Sequence, residues 1–352
     1  MKRALLEYIV CPECYASFEC HVEVERDDEI ETGSLRCSRC EKSYPILRGI
    51  PRFVTVDEPL SGKNVQTADA FGWEWQKFRE LHDLATYRAQ FLDWIHPIQP
   101  EFFDGKVVLD AGCGMGRFSL VSSAFGAKVL AVDASDAVEA ARENARDFSN
   151  VHVIQGDIHR LPLRLGRDAQ VDFAFSIGVL HHLDSPQAGF DALVRHLRRG
   201  ATIFVWVYGR ERNGWLVNVV NPIRVFLTSR LPRRVLYALS WFITVVLHPI
   251  VRLIYRPLRA LGRDNWLYRL LPYNDYLAWL GQFGFRHNHH VVFDHLVAPV
   301  AFYIRREEFE AWFHEAGMEI INLSWRNRNS WRGHGGFAPD VSVGESLKSE
   351  GK

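Results

Sequence analysis

The sequence predicts an α/β chain. Its centre is a doubly wound, mostly parallel sheet, preceded by a small cysteine-rich unit and interrupted by a mainly helical insertion. Three observations carry this. Between Gly105 and Tyr208, short apolar runs alternate with helical patterns, as in consecutive βαβ units. The first run, Lys106-Val-Val-Leu109, leads into Asp110-Ala-Gly112-Cys-Gly114-Met-Gly116-Arg-Phe118, a glycine turn between strand and helix that brings bare backbone against a ligand. Two C-x-x-C pairs, Cys11/Cys14 and Cys37/Cys40, stand within the first 56 residues.

Taken in order, residues 1–56 form a unit of their own, with each cysteine pair in a short turn and Glu23–Glu31 as a hairpin tip. Residues 57–104 are a polar linker, centred on Asp57–Val65, followed by amphipathic helices. There Phe71, Trp75, Phe78, Leu81, Ala85, Ala89, Leu92 and Ile95 recur at helical spacing. In the core, 105–208, strands are expected at 106–110, 128–133, 151–154, 171–176 and 201–207, and helices at 117–125, 136–146 and 186–197. Alternation then stops, and 209–302 reads as an aromatic-rich helical cap. Residues 303–330 complete the core with a helix at Arg305–Gly317, ended by Gly317, and a strand at Met318–Trp325. Residues 331–352 read as a frayed polar tail.

Composition narrows the partners. The 352 residues carry 42 basic and 42 acidic side chains, and this balance argues against a nucleic-acid-binding surface. With 11 Trp, 11 Tyr and 23 Phe, large apolar clefts are expected. The N-terminus does not read as a secretory signal. The apolar stretch Leu236–Tyr255 contains His248, Pro249 and Arg252, which argues against a spanning helix. Cytoplasmic residence is expected, with contact at the inner membrane surface left open. The paired cysteines then favour a metal over disulfides. Cys11, Cys14, Cys37 and Cys40 are four soft ligands suited to a tetrahedral structural zinc, while Cys20 packs.

The spacing G-x-G-x-G departs from the dinucleotide fingerprint G-x-G-x-x-G, and no lysine follows it to hold a diphosphate. Two carboxylates instead fall where a nucleoside needs them. Asp133, at the end of the second strand, can accept both ribose hydroxyls. Asp157, after the third, can accept from an adenine amine, with Ile158 as an apolar lid over the base. Asp110 can bridge the loop backbone and a cationic ligand amine.

The set Val-Leu-Asp-Ala-Gly-Cys-Gly-Met-Gly, Val-Asp133-Ala-Ser, Gly-Asp157-Ile and Phe173-Ala-Phe-Ser-Ile-Gly-Val-Leu-His-His-Leu183 resembles the class I S-adenosylmethionine-dependent methyltransferases, nearest the ubiquinone and menaquinone biosynthesis group. That resemblance implies a Rossmann-like domain with a seven-stranded sheet and a cap after the fifth strand. It implies S-adenosyl-L-methionine as cofactor, held by Gly112, Gly114, Gly116, Asp133, Asp157 and Ile158. Ser176 and Ile177 would lie beside the methyl group. Ser-Ile-Gly-Val replaces the Asn/Asp-Pro-Pro-Tyr of many nitrogen-methylating members, which favours an oxygen or carbon acceptor. The cysteine unit resembles the zinc ribbon of the small activator subunit of tRNA- and translation-factor-modifying methyltransferases.

Transfer to a hydroxyl needs positioning and a base within hydrogen-bond reach. His182, after the fourth strand, is the expected base or a wall residue; His181 packs. Arg88 is a candidate clamp for the methionine carboxylate, and Trp73 and Trp75 are lid or core residues. Tyr273, His289, His290, His295 and Tyr303 are expected in the acceptor pocket, with His290 and Tyr303 also candidate catalytic groups. His287, His289 and His290 are read as a pocket wall on which two share a strand face, rather than as a second metal site.

A cap of this size implies a bulky acceptor: a small molecule, a glycan or a lipid-linked intermediate, methylated on oxygen. Carbon methylation of a quinone- or polyketide-like acceptor is the alternative, and a tRNA or protein substrate ranks below both. Residues 224–263 hold eight arginines and no acid. Contact with an anionic membrane, active-site cover and homodimer packing all remain open for that segment.

Overall fold

The computed structural model describes residues 1–54, 60, 62, 64–79, 84–228 and 231–337. Most of the expected linker, Leu81, and residues 338–352 of the expected tail lie outside these.

The N-terminal unit is a four-stranded antiparallel sheet: β1 (Phe18–Arg26), β2 (Glu29–Cys37), β3 (Ser43–Leu47) and β4 (Ile50–Pro51). Helices α1 (Asn64–Lys77) and α2 (Leu84–Ile95) follow. The central sheet is then laid down as β5 (Val107–Ala111), α3 (Arg117–Ala124), β6 (Lys128–Asp133), α4 (Ala137–Asn144), β7 (Val151–Gln155), β8 (Val171–Ile177), α5 (Pro186–Val194) and β9 (Leu197–Tyr208). The cap holds α6 (Asn221–Phe226), α7 (Arg233–Ile250), α8 (Arg256–Ala260), α9 (Trp266–Leu270), α10 (Asn274–Leu280) and α11 (Phe285–Val297). The core closes with α12 (Arg306–Glu315), β10 (Glu319–Arg326) and β11 (Ser330–Gly336).

The sheet has seven strands in the order β10-β11-β9-β8-β5-β6-β7. β5 pairs parallel to both β6 and β8, so strand order reverses at β5 and opens a crevice at the carboxyl ends of these strands. β11 is antiparallel to both of its neighbours. This corrects the sequence reading, which ended the core at 330. Ser330–Gly336 reads as loop because Gly333, Gly335 and Gly336 lack side chains, and that lack is its structural use. A Cβ on Gly333 would stand 2.7 Å from the Phe313 ring, and one on Gly335 2.4 Å from it. The bare strand lets α12 lay Phe309 and Phe313 flat on the sheet.

A second correction concerns the N-terminal unit, which does not keep a core to itself. Leu5, Ile9, Ile30, Leu35 and Tyr44 belong to one buried cluster with Ile154, Leu161 and Leu163 of the central domain. Arg52 bridges in parallel to Gln155, and the Phe53 amide donates to the Gln155 carbonyl at 2.8 Å, so β4 continues into pairing with the exposed side of edge strand β7. Charge locks the contact: Arg48 and Arg52 both pair with Glu139 of α4, and Arg142 pairs with Glu29.

The segment Phe285–Val297 is helix rather than strand. His287, His290, Val291 and Asp294 therefore share one face, at spacings of three and four.

Because α12 packs onto a bare strand, Gly335→Ala should lower stability by about 1–3 kcal/mol. An unchanged urea midpoint would show that the strand face is not filled as described.

Candidate functional site

The crevice at the strand reversal holds a cavity of about 220 Å³. One end is built by the glycine turn. Gly112, Gly114 and Gly116 have φ of 84°, 55° and 81°, a left-handed conformation that side chains resist. The amides of Gly112 and Cys113 donate to the Val132 carbonyl at 2.8 and 3.0 Å, which clips the turn to β6. Gly114 also lies under the indole of Trp75: a Cβ there would approach the ring to 2.9 Å. Trp75 is thus a lid residue over the loop, whereas Trp73 packs against Phe293 inside the cap.

Asp133 accepts from the Gly114 amide at 2.9 Å, and from the Ser135 amide and hydroxyl at 2.8 and 2.6 Å. Oδ1 takes both Ser135 bonds and Oδ2 takes only the Gly114 bond, so one lone-pair direction remains on Oδ2, and the residue is on the cavity wall. Asp157 and Ile158 are on the same wall. Burial opposes ionisation of Asp157, but hydrogen bonds from the His159 amide (2.9 Å) and ring (3.1 Å) outweigh it and hold its carboxyl below the usual range. Two acceptor carboxylates, the apolar side chain of Ile158 and a side-chain-free loop form the acceptor and surface set that an adenosine with an attached amino acid requires.

Three expected cofactor residues stand elsewhere. Arg88 is exposed, with its guanidinium 5.1 Å from the Phe125 ring and away from the cavity; Arg117, the first residue of α3, is the wall cation instead. Ser176 is buried and donates to the Ala111 carbonyl at 3.0 Å, tying β8 to β5, and Ile177 takes the wall position. Asp110 lies beneath the loop, accepting from the Ser119 hydroxyl at 2.6 Å, where burial raises its carboxyl to about 7.

The other end of the cavity is aromatic and is shared by three parts of the chain: Phe71 and Trp94 of α1 and α2, Trp206 and Tyr208 of β9, and Tyr276 and Trp279 of the cap. Arg326 lies between the rings of Trp94 and Trp279, 4.4 and 5.0 Å from their centres, and pairs with Asp93. His182 reaches this wall. A carbonyl can only accept, so the 2.6 Å contact with the Val300 oxygen puts the proton on Nδ1 and leaves Nε2 a lone pair. Burial drives this imidazole down to about 3, so it is a weak base rather than one near its ordinary value. His181 is fully buried, as expected.

His290 also lines the cavity, but its Nε2 lies 2.7 Å from Oε1 of Glu74. Burial raises the Glu74 carboxyl well above its usual range and lowers the His290 imidazole to about 4. This corrects its catalytic assignment, because the nitrogen is engaged in holding α1 to α11. Tyr303 is half-buried behind Tyr208, with ring centres 5.6 Å apart, and does not reach the wall. His289 faces the opposite side, 2.8 Å from the Ser240 hydroxyl, and Tyr273 is also off the wall. His295 does line it, 2.9 Å from the Tyr276 hydroxyl.

Sequence reasoning missed Asp294. It lies on the wall between His290 and His295, and burial, reinforced by the nearby Glu74, raises its carboxyl to about 7. The signal was present in the helical spacing 287-290-291-294, which a strand reading of the segment concealed.

The cysteines converge as expected. The sulfurs of Cys11, Cys14, Cys37 and Cys40 all lie within 4.8 Å of one another, near the ~3.8 Å edge of a ZnS4 tetrahedron with ~2.3 Å bonds. Amides of Arg39 and Cys40 point at the Cys37 sulfur at 3.4 and 3.5 Å, which favours a thiolate ligand. Cys20 is partly buried against the shared core.

Residues 109–205 match the family model described as "Methyltransferase domain". The core is a class I S-adenosylmethionine-dependent methyltransferase fold. Residues 2–49 match "Trm112p-like protein". Over 157 residues the chain is 28% identical to a ubiquinone biosynthesis O-methyltransferase of Cupriavidus pinatubonensis, covering 45% of this chain and 60% of that protein. It is 26% identical to the protein of the same name in Pseudomonas putida, covering 45% and 65%. The chain thus spans less than two thirds of these relatives. Among solved structures, the complex between the Haloferax volcanii Trm112 methyltransferase activator and the putative methyltransferase aligns with 15% identity and a TM-score of 0.44, over 77% of this chain and 98% of that one. The methyltransferase core and the cysteine cluster therefore stand on both sequence match and geometry.

The cysteine geometry leads to an expectation of about one zinc per chain by elemental analysis. The double substitution Cys14→Ser/Cys37→Ser should lose it together with a fall in thermal midpoint. A metal-free wild-type protein with an unaltered midpoint would remove the site.

Proposed function

We propose that this chain transfers a methyl group from S-adenosyl-L-methionine to a hydroxyl oxygen of a bulky, largely apolar acceptor, a small molecule or the head of a lipid- or glycan-linked intermediate. The observation that supports this most is a single cavity whose wall runs from the nucleoside carboxylates Asp133 and Asp157 to the carboxyl of Asp294 among aromatic rings. No described residue of the N-terminal unit lines it, which favours an enclosed acceptor over a macromolecule bridging both regions.

Asp133 and Asp157 would hold the ribose hydroxyls and the base, with Ile158 against the base and Trp75 closing over the loop. Bound there, the cofactor supplies an electrophilic methyl group on a sulfonium. Asp294 would act as the general base, taking the hydroxyl proton as the acceptor oxygen bonds to the methyl carbon and the sulfonium–carbon bond breaks to leave the thioether. A carboxyl held at about 7 is matched to that task at neutral pH. Neutral His182, with its free Nε2, orients the acceptor hydroxyl. The rings of Trp206 and Tyr208 exclude water and fix the acceptor's apolar part.

Asp294 works in its ionised form, so the rate should rise with pH through about 7 and fall as the group protonates below it. Asp294→Asn should lower kcat by about 10²–10⁴ and abolish that limb, with S-adenosylhomocysteine affinity retained; Asp133→Ala should weaken that affinity instead. The assay is a panel of phenols, isoprenoid phenols and lipid-linked sugars, with the product methyl located by NMR. A methyl bound to carbon or nitrogen would overturn the oxygen assignment. Full activity in Asp294→Asn would remove the base.

A further inference from the structure

The cap carries an exposed apolar surface that the methyl-transfer site does not use. From Arg233 to Ala260 the chain is one continuous helix of 28 residues with a mean hydropathy of 1.6 over its most apolar 18-residue window, of which only 17% is buried. Its packed stripe is narrow. Leu236, Ser240 and Thr244 are buried, and Val251 and Tyr255 extend the line. Ser240 contacts His289 at 2.8 Å, and His248 contacts Asn288 at 2.9 Å, so that stripe is hydrogen-bonded to α11. The outer faces are bare: Phe242 is 64% exposed, Val246 62% and Leu253 75%.

We propose that this helix is a monotopic membrane anchor, lying in the plane of an anionic bilayer surface with its outer faces among the acyl chains. Charge selects this occupant. Residues 224–263 contain eight arginines and no carboxylate; Arg224 is buried, and Arg233, Arg259 and Arg263 pair with Asp69 or Asp275. Arg234, Arg252 and Arg256 are exposed and pair with no acid among the described residues, which leaves them for lipid phosphates. A second copy docking on the same patch would bring arginines against arginines. Trp241 on the helix itself is exposed, a residue type favoured at the depth of lipid headgroups.

The same contacts decide how the helix sits. A spanning helix would have to abandon the Ser240–His289 and Asn288–His248 bonds and the α11 interface, leaving polar groups in hydrocarbon. In the plane, it keeps them. Since the other face of α11 carries His290 and Asp294, one helix separates the bilayer surface from the acceptor cavity.

The surface stands independently of the reaction proposed above, and its test needs no acceptor. The full zinc-loaded chain is co-sedimented with phosphatidylcholine vesicles, with and without about one-third phosphatidylglycerol. Binding should be at least about tenfold tighter to the anionic vesicles and weaken with salt. Phe242→Glu/Val246→Glu should lose binding to both. Arg252→Ser/Arg256→Ser, which leaves the apolar faces intact, should lose only the anionic preference. Both variants should keep S-adenosylhomocysteine affinity in calorimetry, which reports an intact fold. Two results would overturn the proposal: no vesicle binding by the wild type at low salt, or a wild-type dimer in sedimentation that Phe242→Glu/Val246→Glu dissolves.

Discussion

The contact between Glu74 and His290 organises the site. A fully buried carboxyl 2.7 Å from an imidazole brings α1 against the last helix of the cap. The residue after Glu74, Trp75, covers Gly114, and its ring stands edge-on to His290 at 4.7 Å. Four residues past His290, Asp294 reaches the cavity from the same helix face. Burying a carboxyl is costly unless it is neutralised or paired, so the chain tolerates Glu74 there only while α1 and α11 remain together. The lid, the glycine turn and the candidate base are thereby held at one closed geometry.

The N-terminal unit solves a different problem. The edge of a parallel sheet exposes unpaired backbone groups, and here β4 and Phe53 take up those of β7 at Gln155. Its own apolar residues are too few for an independent core and are shared with the inner face of the central sheet. A metal at the four cysteines would fix the turns from which β1 and β3 set out, so the ion's contribution extends to the domain that the unit braces. None of its described residues meets the cavity wall.

The cap divides its work between two faces of one helix. Toward the sheet, α11 offers titratable groups and aromatic neighbours to an enclosed space. Away from it, Asn288 and His289 hold a helix whose outer surface is apolar and rimmed by arginine. Recognition of the acceptor and attachment to a surface are thus built on the same element, with no loop between them.

The sequence by itself determined the parallel core strands, the glycine turn, the nucleoside carboxylates and the cysteine cluster. Each is a local pattern: an alternation of strand and helix, a fixed glycine spacing, an acid at a strand end, or paired cysteines in turns. Tertiary structure decided what depended on a distant partner. Ser330–Gly336 became a strand because the Phe309 and Phe313 rings need side-chain-free backbone, and no propensity encodes that. Arg88 and Tyr303 left the site because α2 and the returning chain present other faces to it. Asp294 and His290 took different roles on one helix because only His290 meets Glu74. Burial, rather than residue type, then placed the Asp294 carboxyl near 7 and the His182 imidazole near 3.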